Sequence, residues 1–424
     1  MKVVIVTGTR PDIIKMAPLY WEGRKRGHEM VLVHAAQHFP YHLFQGVYED
    51  LELPFPPRHM VYSSAVKRAG IVASKFAFEL DKRFGWGTSK SLEEVATRVT
   101  EARPNPAATV AHIMLGLNNL FRGTLKDADI VLVHGDTLTC MAAGLSAHLN
   151  LIPVGHVEAG LRTFSREPFP EQTDTRTADA CSDLFFAATK TNEGNLLREG
   201  FSRSRIFTVG NTVVDAAEWA AKKAEARGES RAFFERLGVD FARPIVYFSS
   251  HRRENLMHRE RFEAISNAAI RLAQQGHQVL WSVRPGTFVA LAQYGLLEKV
   301  RMEGNIFLVS DIPRYSDIMF LLSKSLFVAT DSGSMQEEAC ALRVPCVSLR
   351  FVTDRPESVE AGVTVLAKPS SVGNIAKAFE VVKRDNAMMR RMKNPYGNGN
   401  SSRLIFDALE KFEGRLIEWE HRTR

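Results

Sequence analysis

The chain of 424 residues has little of what marks several common protein classes. It holds four cysteines, Cys140, Cys181, Cys340 and Cys346, none of them in a CxxC pair. Each sits among apolar or small residues, where a free cysteine behaves as a small hydrophobe. A disulfide framework and a cysteine zinc site are both excluded on that ground. No run approaches the ~18 consecutive apolar residues of a membrane-spanning helix. The first residues, MKVVIVTGTR, enter a strand directly, without a separate apolar segment and cleavage site, so the expected location is cytoplasmic. Zinc-finger spacing, a basic helix and an aromatic RNA-binding signature are all absent, which argues against a nucleic-acid partner. Neither GxxxxGK nor GxGxxG occurs. Net charge is also scarce: 55 Lys+Arg against 48 Asp+Glu leave +7. A solvated basic surface accounts for that value, and so does an anionic small-molecule ligand.

What is present is a globular composition, 45% hydrophobic and 24% charged, in a chain long enough for two to three domains. Short β-branched runs alternate with helical patterns. In the first half they fall at Val3–Thr7, Met30–Ala35, Ile130–Gly135, Ile152–Val157, Leu184–Ala188 and Ile206–Val209. The second half offers Ile245–Ser250, Gln278–Val283, Ile306–Val309, Leu326–Thr330, Pro345–Leu349 and Thr364–Ala367. Such spacing predicts an α/β protein of two doubly wound, Rossmann-like domains. The expected domains are 1–207, 208–400 and a last helix within 401–424 that packs back on the first. Between Ser63 and Pro106 the pattern is helical and mixed-charge, which reads as a structural insertion or an oligomer contact; SLEEVATRV at Ser91–Val99 opens with a capping box.

The stretch Val131–Glu171 carries the chemistry. Two strand-like runs end in His134-Gly135-Asp136-Thr137 and His156-Val157-Glu158-Ala159-Gly160, and Glu171 follows in a Pro-rich loop. Asp136, Glu158 and Glu171 thereby reach the carboxyl edge of a parallel sheet, where ligands of open α/β folds bind. Carboxylates gathered there suit proton abstraction and return, so the chain reads as an enzyme. Asp136 would equally serve as a helix cap, and His134, His156 and His38 read equally as structural histidines. Glu171, beside Pro170, has the weakest structural excuse.

Three turns suit phosphate. After the first strand, Thr7-Gly8-Thr9-Arg10-Pro11-Asp12 opens a helix carrying Lys15, so Arg10 and Lys15 add charge to a helix N-terminus. Ala329-Thr330-Asp331-Ser332-Gly333-Ser334 repeats the order, with Ser332, Gly333 and Ser334 as donors. Glu338, about one turn further on, suits ribose hydroxyls or simple compensation of the helix dipole. His251-Arg252-Arg253 at another strand end would neutralise a diphosphate. Two facing domains with such turns argue for a nucleotide-diphosphate ligand in the interdomain cleft.

Taken in order, GTRPDIIKMAPL, AQH, HGDT, PVGHVEAGLRT, PFPEQ, GNTVVDA, HRREN, TDSGSMQEEA and TDRPESVEAG resemble the UDP-N-acetylglucosamine 2-epimerases, their non-hydrolysing branch above all. The resemblance spans nearly the whole chain outside Ser63–Pro106. It implies the GT-B fold, usually as a homodimer, and interconversion of UDP-GlcNAc and UDP-ManNAc without a nicotinamide cofactor or a metal. It also implies a place in polysaccharide biosynthesis. Elimination of UDP, a glycal intermediate and re-addition of UDP make exchange at the non-acidic C2 feasible. Matched to the family, Asp136, Glu158, Glu171 and His251 are catalytic; Arg10, Lys15, Ser332, Gly333, Ser334, Glu338 and Arg355 bind substrate.

Some positions depart from the family. Where it has a second Glu and an Asn-Arg pair after Pro170-Glu171, this chain has Gln172, Asp174 and Thr175, with an arginine only at Arg176. The family's aromatic residue at the uracil aligns with Ile318, beside Tyr315. A His-x-Asn-Pro turn of allosterically activated members is replaced by Arg284-Pro285-Gly286, so activation by a second UDP-GlcNAc is expected to be absent or altered. The departures leave open a modified substrate such as a UDP-2,3-diacetamido uronic acid, its carboxylate met by Arg284 or Arg176. A hydrolysing epimerase, a GT-B glycosyltransferase and a non-catalytic nucleotide-sugar-binding protein are the competing readings.

Overall fold

The structure, a computed structural model, describes residues 1–35, 41–55, 59–61, 106–164, 170–310, 312, 314–353 and 355–412. His38, the capping box at Ser91 and the rest of 63–105 lie outside the described residues, as does the last helix beyond Phe412.

The chain divides into two compact units, one of residues 1–212 together with Asn400 onward, the other of Val213–Gly399. In the first, strands β1 (Lys2–Thr7), β2 (Glu29–His34), β3 (Ile130–His134), β4 (Val154–Val157), β5 (Leu184–Ala187) and β6 (Ile206–Thr208) form one sheet in the order β2-β1-β3-β4-β5-β6. In the second, β7 (Ile245–Ser249), β8 (Gln278–Ser282), β9 (Ile306–Val309), β10 (Phe327–Thr330), β11 (Cys346–Ser348) and β12 (Thr364–Leu366) run in the order β12-β11-β10-β7-β8-β9. Every pairing in both sheets is parallel. The two Rossmann-like sheets expected from the alternation are therefore present. Most strands end one residue before the expected limit, because that residue already belongs to the turn.

Helices cover the sheet faces and explain the unbroken apolar strands. Those that matter for the site are α1 (Arg10–Lys25), α2 (Pro106–Arg122), α3 (Leu138–Leu149), α4 (Glu171–Ala180), α5 (Lys190–Arg198), α6 (Arg259–Gln274), α7 (Pro285–Gln293), α8 (Tyr315–Lys324), α9 (Gly333–Ala341) and α10 (Ser401–Phe412). The first core joins Val4, Val6, Val131 and Val133 to Ile113, Leu117 and Phe121 of α2 and to the alanines of α3. In the second, the indole of Trp281 packs edge-on at 4.9 Å from Phe248 and near Phe262 of α6. Helix α10 returns to α1: Arg26 reaches Asp407 at 2.8 Å and Glu410 at 2.9 Å, and His28 stacks on Phe406.

Strand order sets where a site can form. The winding direction reverses between β1 and β3 in the first sheet and between β7 and β10 in the second. At such switch points the turns leaving the strands diverge and open a crevice at the carboxyl edge. All four cysteines are free and buried. Among the described residues no helix is long and apolar enough to cross a membrane, and no cluster of His, Cys, Asp and Glu is placed to hold a metal ion.

Candidate active site

At the first switch point the turns after β1 and β3 meet over α1. Thr9 caps α1 and Asp12 closes the capping box, its Oδ2 accepting from the Gly8 N–H at 3.1 Å and the Thr9 N–H at 2.9 Å. The other oxygen, Oδ1, faces Nδ1 of His134 at 3.1 Å. Nε2 of His134 lies 3.4 Å from Oε2 of Glu158, and Oε1 of Glu158 accepts from Nζ of Lys15. Asp12, Lys15, His134 and Glu158 are all buried. Burial opposes a charge on His134, but Glu158 and Asp12 outweigh it and raise the imidazole to about 9. The glutamate thus stands between two buried cations.

Lys15 is paired with Glu158, a partner that the one-turn spacing from Arg10 could not reveal. At Gly8 a Cβ would meet Oγ1 of Thr139 at 1.9 Å, so close packing of α3 demands glycine. Arg10 opens α1 half-buried. Glu158 itself adopts φ +64°, a left-handed conformation that is costly for a side-chain-bearing residue and recurs at functional sites.

A second group gathers at the start of α4. Thr137, not Asp136, caps α3, its hydroxyl accepting from the Cys140 N–H at 3.1 Å, so the capping role for Asp136 falls away. Glu171 is the first residue of α4 and Asp174 lies one turn on, fully buried. Burial, Glu171 and Asp136, in that order, push the Asp174 carboxyl up to about 7. Asp136, Glu171 and Asp174 therefore share one electrostatic neighbourhood.

Behind both groups stands a scaffold of charge. Nδ1 of His156 lies 2.7 Å from Asp179, and its Nε2 faces the Gly135 carbonyl at 2.8 Å, so His156 is structural. Asp179 also accepts from Arg162 at 2.7 Å and from the Gly160 N–H at 3.3 Å. Arg162 continues to Glu199, which Arg176 approaches to 3.3 Å. Arg176 is thereby held in this outer ion-pair chain rather than beside the carboxylates.

In the second unit the hub is Asp331, at the end of β10. It is wholly buried and accepts from the N–H groups of His251 and Arg252 at 3.0 Å, from the Ser250 hydroxyl at 2.9 Å and from Asn255 at 3.0 Å. The loop after β7 is thus tied to the turn after β10. Burial and the nearby charge of Arg284 lower His251 to about 4 against the pull of Asp331. His251 is accordingly neutral at pH 7 and offers hydrogen bonds there, not the positive charge its sequence neighbours suggested. Ser332 and Ser334, half-buried, flank the buried Gly333 at the start of α9. Glu338 is buried beyond the first turn of α9, which leaves little of a dipole-compensating role. Arg355 binds Glu337 through Nε. Tyr315 and Ile318 are both buried in α8.

Asp12, Asp174, Asp179 and Asp331 are the residues that sequence reasoning missed as parts of the site. Asp12 and Asp331 lay inside motifs already singled out; the signal was a carboxylate in a turn otherwise suited to anions.

Two compact units, each built on a six-stranded parallel sheet with polar turns at its switch point, define a two-domain α/β protein. A sequence profile of the UDP-N-acetylglucosamine 2-epimerase family matches residues 22–410, and the chain belongs to that family. It is 32% identical to the UDP-N-acetylglucosamine 2-epimerase of Methanocaldococcus jannaschii over 96% of this chain and 99% of that one. It is likewise 32% identical to the Bacillus subtilis enzyme of the same name, over 96% and 95% of the two chains. The crystal structure of the M. jannaschii enzyme in complex with UDP-GlcNAc and UDP superposes with a TM-score of 0.76, at 30% identity, covering 97% of this chain and all 100% of that one. That of the Neisseria meningitidis enzyme bound to UDP-GlcNAc gives 0.77 at 28% identity, again with 97% and 100% coverage.

Proposed function

We propose that the chain interconverts UDP-GlcNAc and UDP-ManNAc without releasing free sugar. The observation that carries this reading is the buried Lys15–Glu158–His134 assembly, with the Asp136, Glu171 and Asp174 group in the same unit, in a member of this family. One carboxylate takes the C2 proton while the C1–O bond breaks, its electron pair leaving with UDP. The glycal left behind takes the UDP oxygen back at C1 and a proton on the opposite face of C2. Two faces require two acid/base groups, drawn from Asp136, Glu158 and Glu171.

In the first unit the carboxylates suit sugar chemistry, and in the second the turn after β10 suits a nucleotide diphosphate. Ser332, Gly333 and Ser334 serve the diphosphate with backbone and hydroxyl donors, and Glu338 serves the ribose. Neutral His251, with Arg10 and Arg355, supports the departing diphosphate. The carry-over from the family also supports a homodimer acting in the cytoplasm, with no nicotinamide or metal, whereas the departure at Arg284-Pro285-Gly286 supports a rate curve in UDP-GlcNAc that needs no priming ligand.

Proton NMR of the protein with UDP-GlcNAc in D2O tests the proposal. Deuterium at C2 with growth of UDP-ManNAc is the expected result. Free ManNAc with UDP would replace it by the hydrolysing reaction, and absence of exchange would overturn it. The modified uronic substrate keeps one supporting observation, the cation of Arg284 acting on His251; Arg176, committed to Glu199, no longer serves it.

A further inference from the structure

Helix α4 turns one face inward, formed by Glu171, Asp174, Thr175, Ala178 and Asp179. The far half of that face is structural. Ala178 lies against Gly144 of α3, where an added Cβ would come within 3.8 Å of its Cα, and Asp179 holds His156 and Arg162. The near half is different. Oε2 of Glu171, Oδ2 of Asp174 and Oγ1 of Thr175 are buried, yet none has a hydrogen-bond partner among the described residues. Buried side-chain polar atoms in native proteins are nearly always partnered, and a catalytic or binding role is one of the reasons for an exception.

The surroundings of Asp174 decide its charge state. Glu171 faces it from its own helix, three residues away and hence on the same side, and Asp136 faces it from the end of β3. From α3 the facing titratable group is the Cys140 thiol, pushed up first by burial and then by the charges of Asp12, Asp179, Asp136 and Asp174. The buried cations of this unit's first group, Lys15 and His134, are engaged by Glu158. An ionised Asp174 would therefore confront two carboxylates inside the protein. A carboxylic acid differs from a carboxylate in one chemical respect that matters here: it can donate a hydrogen bond. The hydroxyls, ring oxygen and acetamido carbonyl of a 2-acetamido sugar are all acceptors.

We propose that Asp174 is a further substrate-contacting residue that works in its protonated form, donating its carboxyl O–H to an oxygen of the sugar. The inference rests on the epimerase reading above and adds a residue and a charge state to it. It makes substrate binding sensitive to pH through a group other than the acid/base carboxylates. Loss of the Asp174 proton, near pH 7, removes the donor and places a third negative charge beside Asp136 and Glu171.

The test is the pH dependence of kcat/KM for UDP-GlcNAc in the wild type and in Asp174→Asn, whose amide donates at every pH. Between pH 6 and 8.5 a single group titrating near 7 gives a fall of about 30-fold, carried by KM. In D174N the fall should shrink to less than about threefold. A flat wild-type profile overturns the proposal without any variant, so a poorly folding D174N does not protect it. An undiminished fall in a folded D174N overturns it equally. Were the wild type to show no exchange at C2, the epimerase reading would fail first; calorimetric affinity for UDP-GlcNAc over the same pH range would then decide on Asp174, with a 30-fold weakening supporting it and a constant affinity ending it.

Discussion

Oε2 of Glu158 lies 3.4 Å from Nε2 of His134 while its other oxygen binds Lys15, so one buried carboxylate answers two buried cations. The arrangement is asymmetric, and the asymmetry can be measured. Glu158→Gln leaves both cations without their shared partner and should cost about 3–5 kcal/mol of stability, the usual price of breaking a buried pair. Lys15→Met leaves Glu158 facing the imidazolium and should cost distinctly less. Urea midpoints of the two variants give the comparison; equal losses would contradict it.

The same contact makes stability depend on pH. His134 is raised in the fold from 6.5 to about 9, so it binds a proton more tightly folded than unfolded. Its contribution is fully present below pH 6.5 and is lost as pH rises through 9. Thermal unfolding should show Tm falling across that window in the wild type, and His134→Gln should flatten the fall. A wild-type Tm that rises between pH 7 and 9 would count against the assignment.

Asp331 ties the loop after β7 to the turn after β10 through the His251 and Arg252 N–H groups, Ser250 and Asn255. Asp331→Asn sets an amide donor against these donors and should destabilise by about 2 kcal/mol or more. UDP affinity, read by calorimetry, should weaken at least about tenfold if that cost loosens the loop. Affinity unchanged within error would detach the hub from nucleotide binding.

Gly160 has φ +81°, and a Cβ there would come within 2.4 Å of the Asn192 carbonyl oxygen in α5. Both the conformation and the contact oppose Gly160→Ala, for roughly 2–4 kcal/mol. Because Glu158 lies two residues earlier in the same turn, C2 exchange should slow as well. Stability lost with the exchange rate intact would show that the turn does not position Glu158.

Much of this protein is legible in its sequence because parallel strands buried on both faces read as near-continuous apolar runs, as Ile130–Val133 and Ile245–Phe248 do. What the sequence hides is who meets whom. Asp12 and His134 are 122 residues apart in the chain and 3.1 Å apart in space, a contact that only the β1–β3 pairing creates. Asp174 looked like a departure from a family pattern; its importance depends on the face of α4 it occupies. Lys15 and Asp331 were visible as residues of anion-suited turns, but their side chains turn inward to partners supplied by other elements.

Since the first unit takes α10 from beyond Gly399, the second unit is in effect an insertion between its penultimate and last parts. During synthesis Val213–Gly399 is complete before α1 has received the helix that carries Phe406, Asp407 and Glu410. The order of folding is thereby written into the chain: the later-encoded unit can mature first, while the earlier one waits with one flank of α1 bare. Pulse proteolysis of a chain ended at Gly399 should find Val213–Gly399 protected and the region around Arg26 and His28 cut, making the last helix a checkpoint on assembly of the half that bears Glu158.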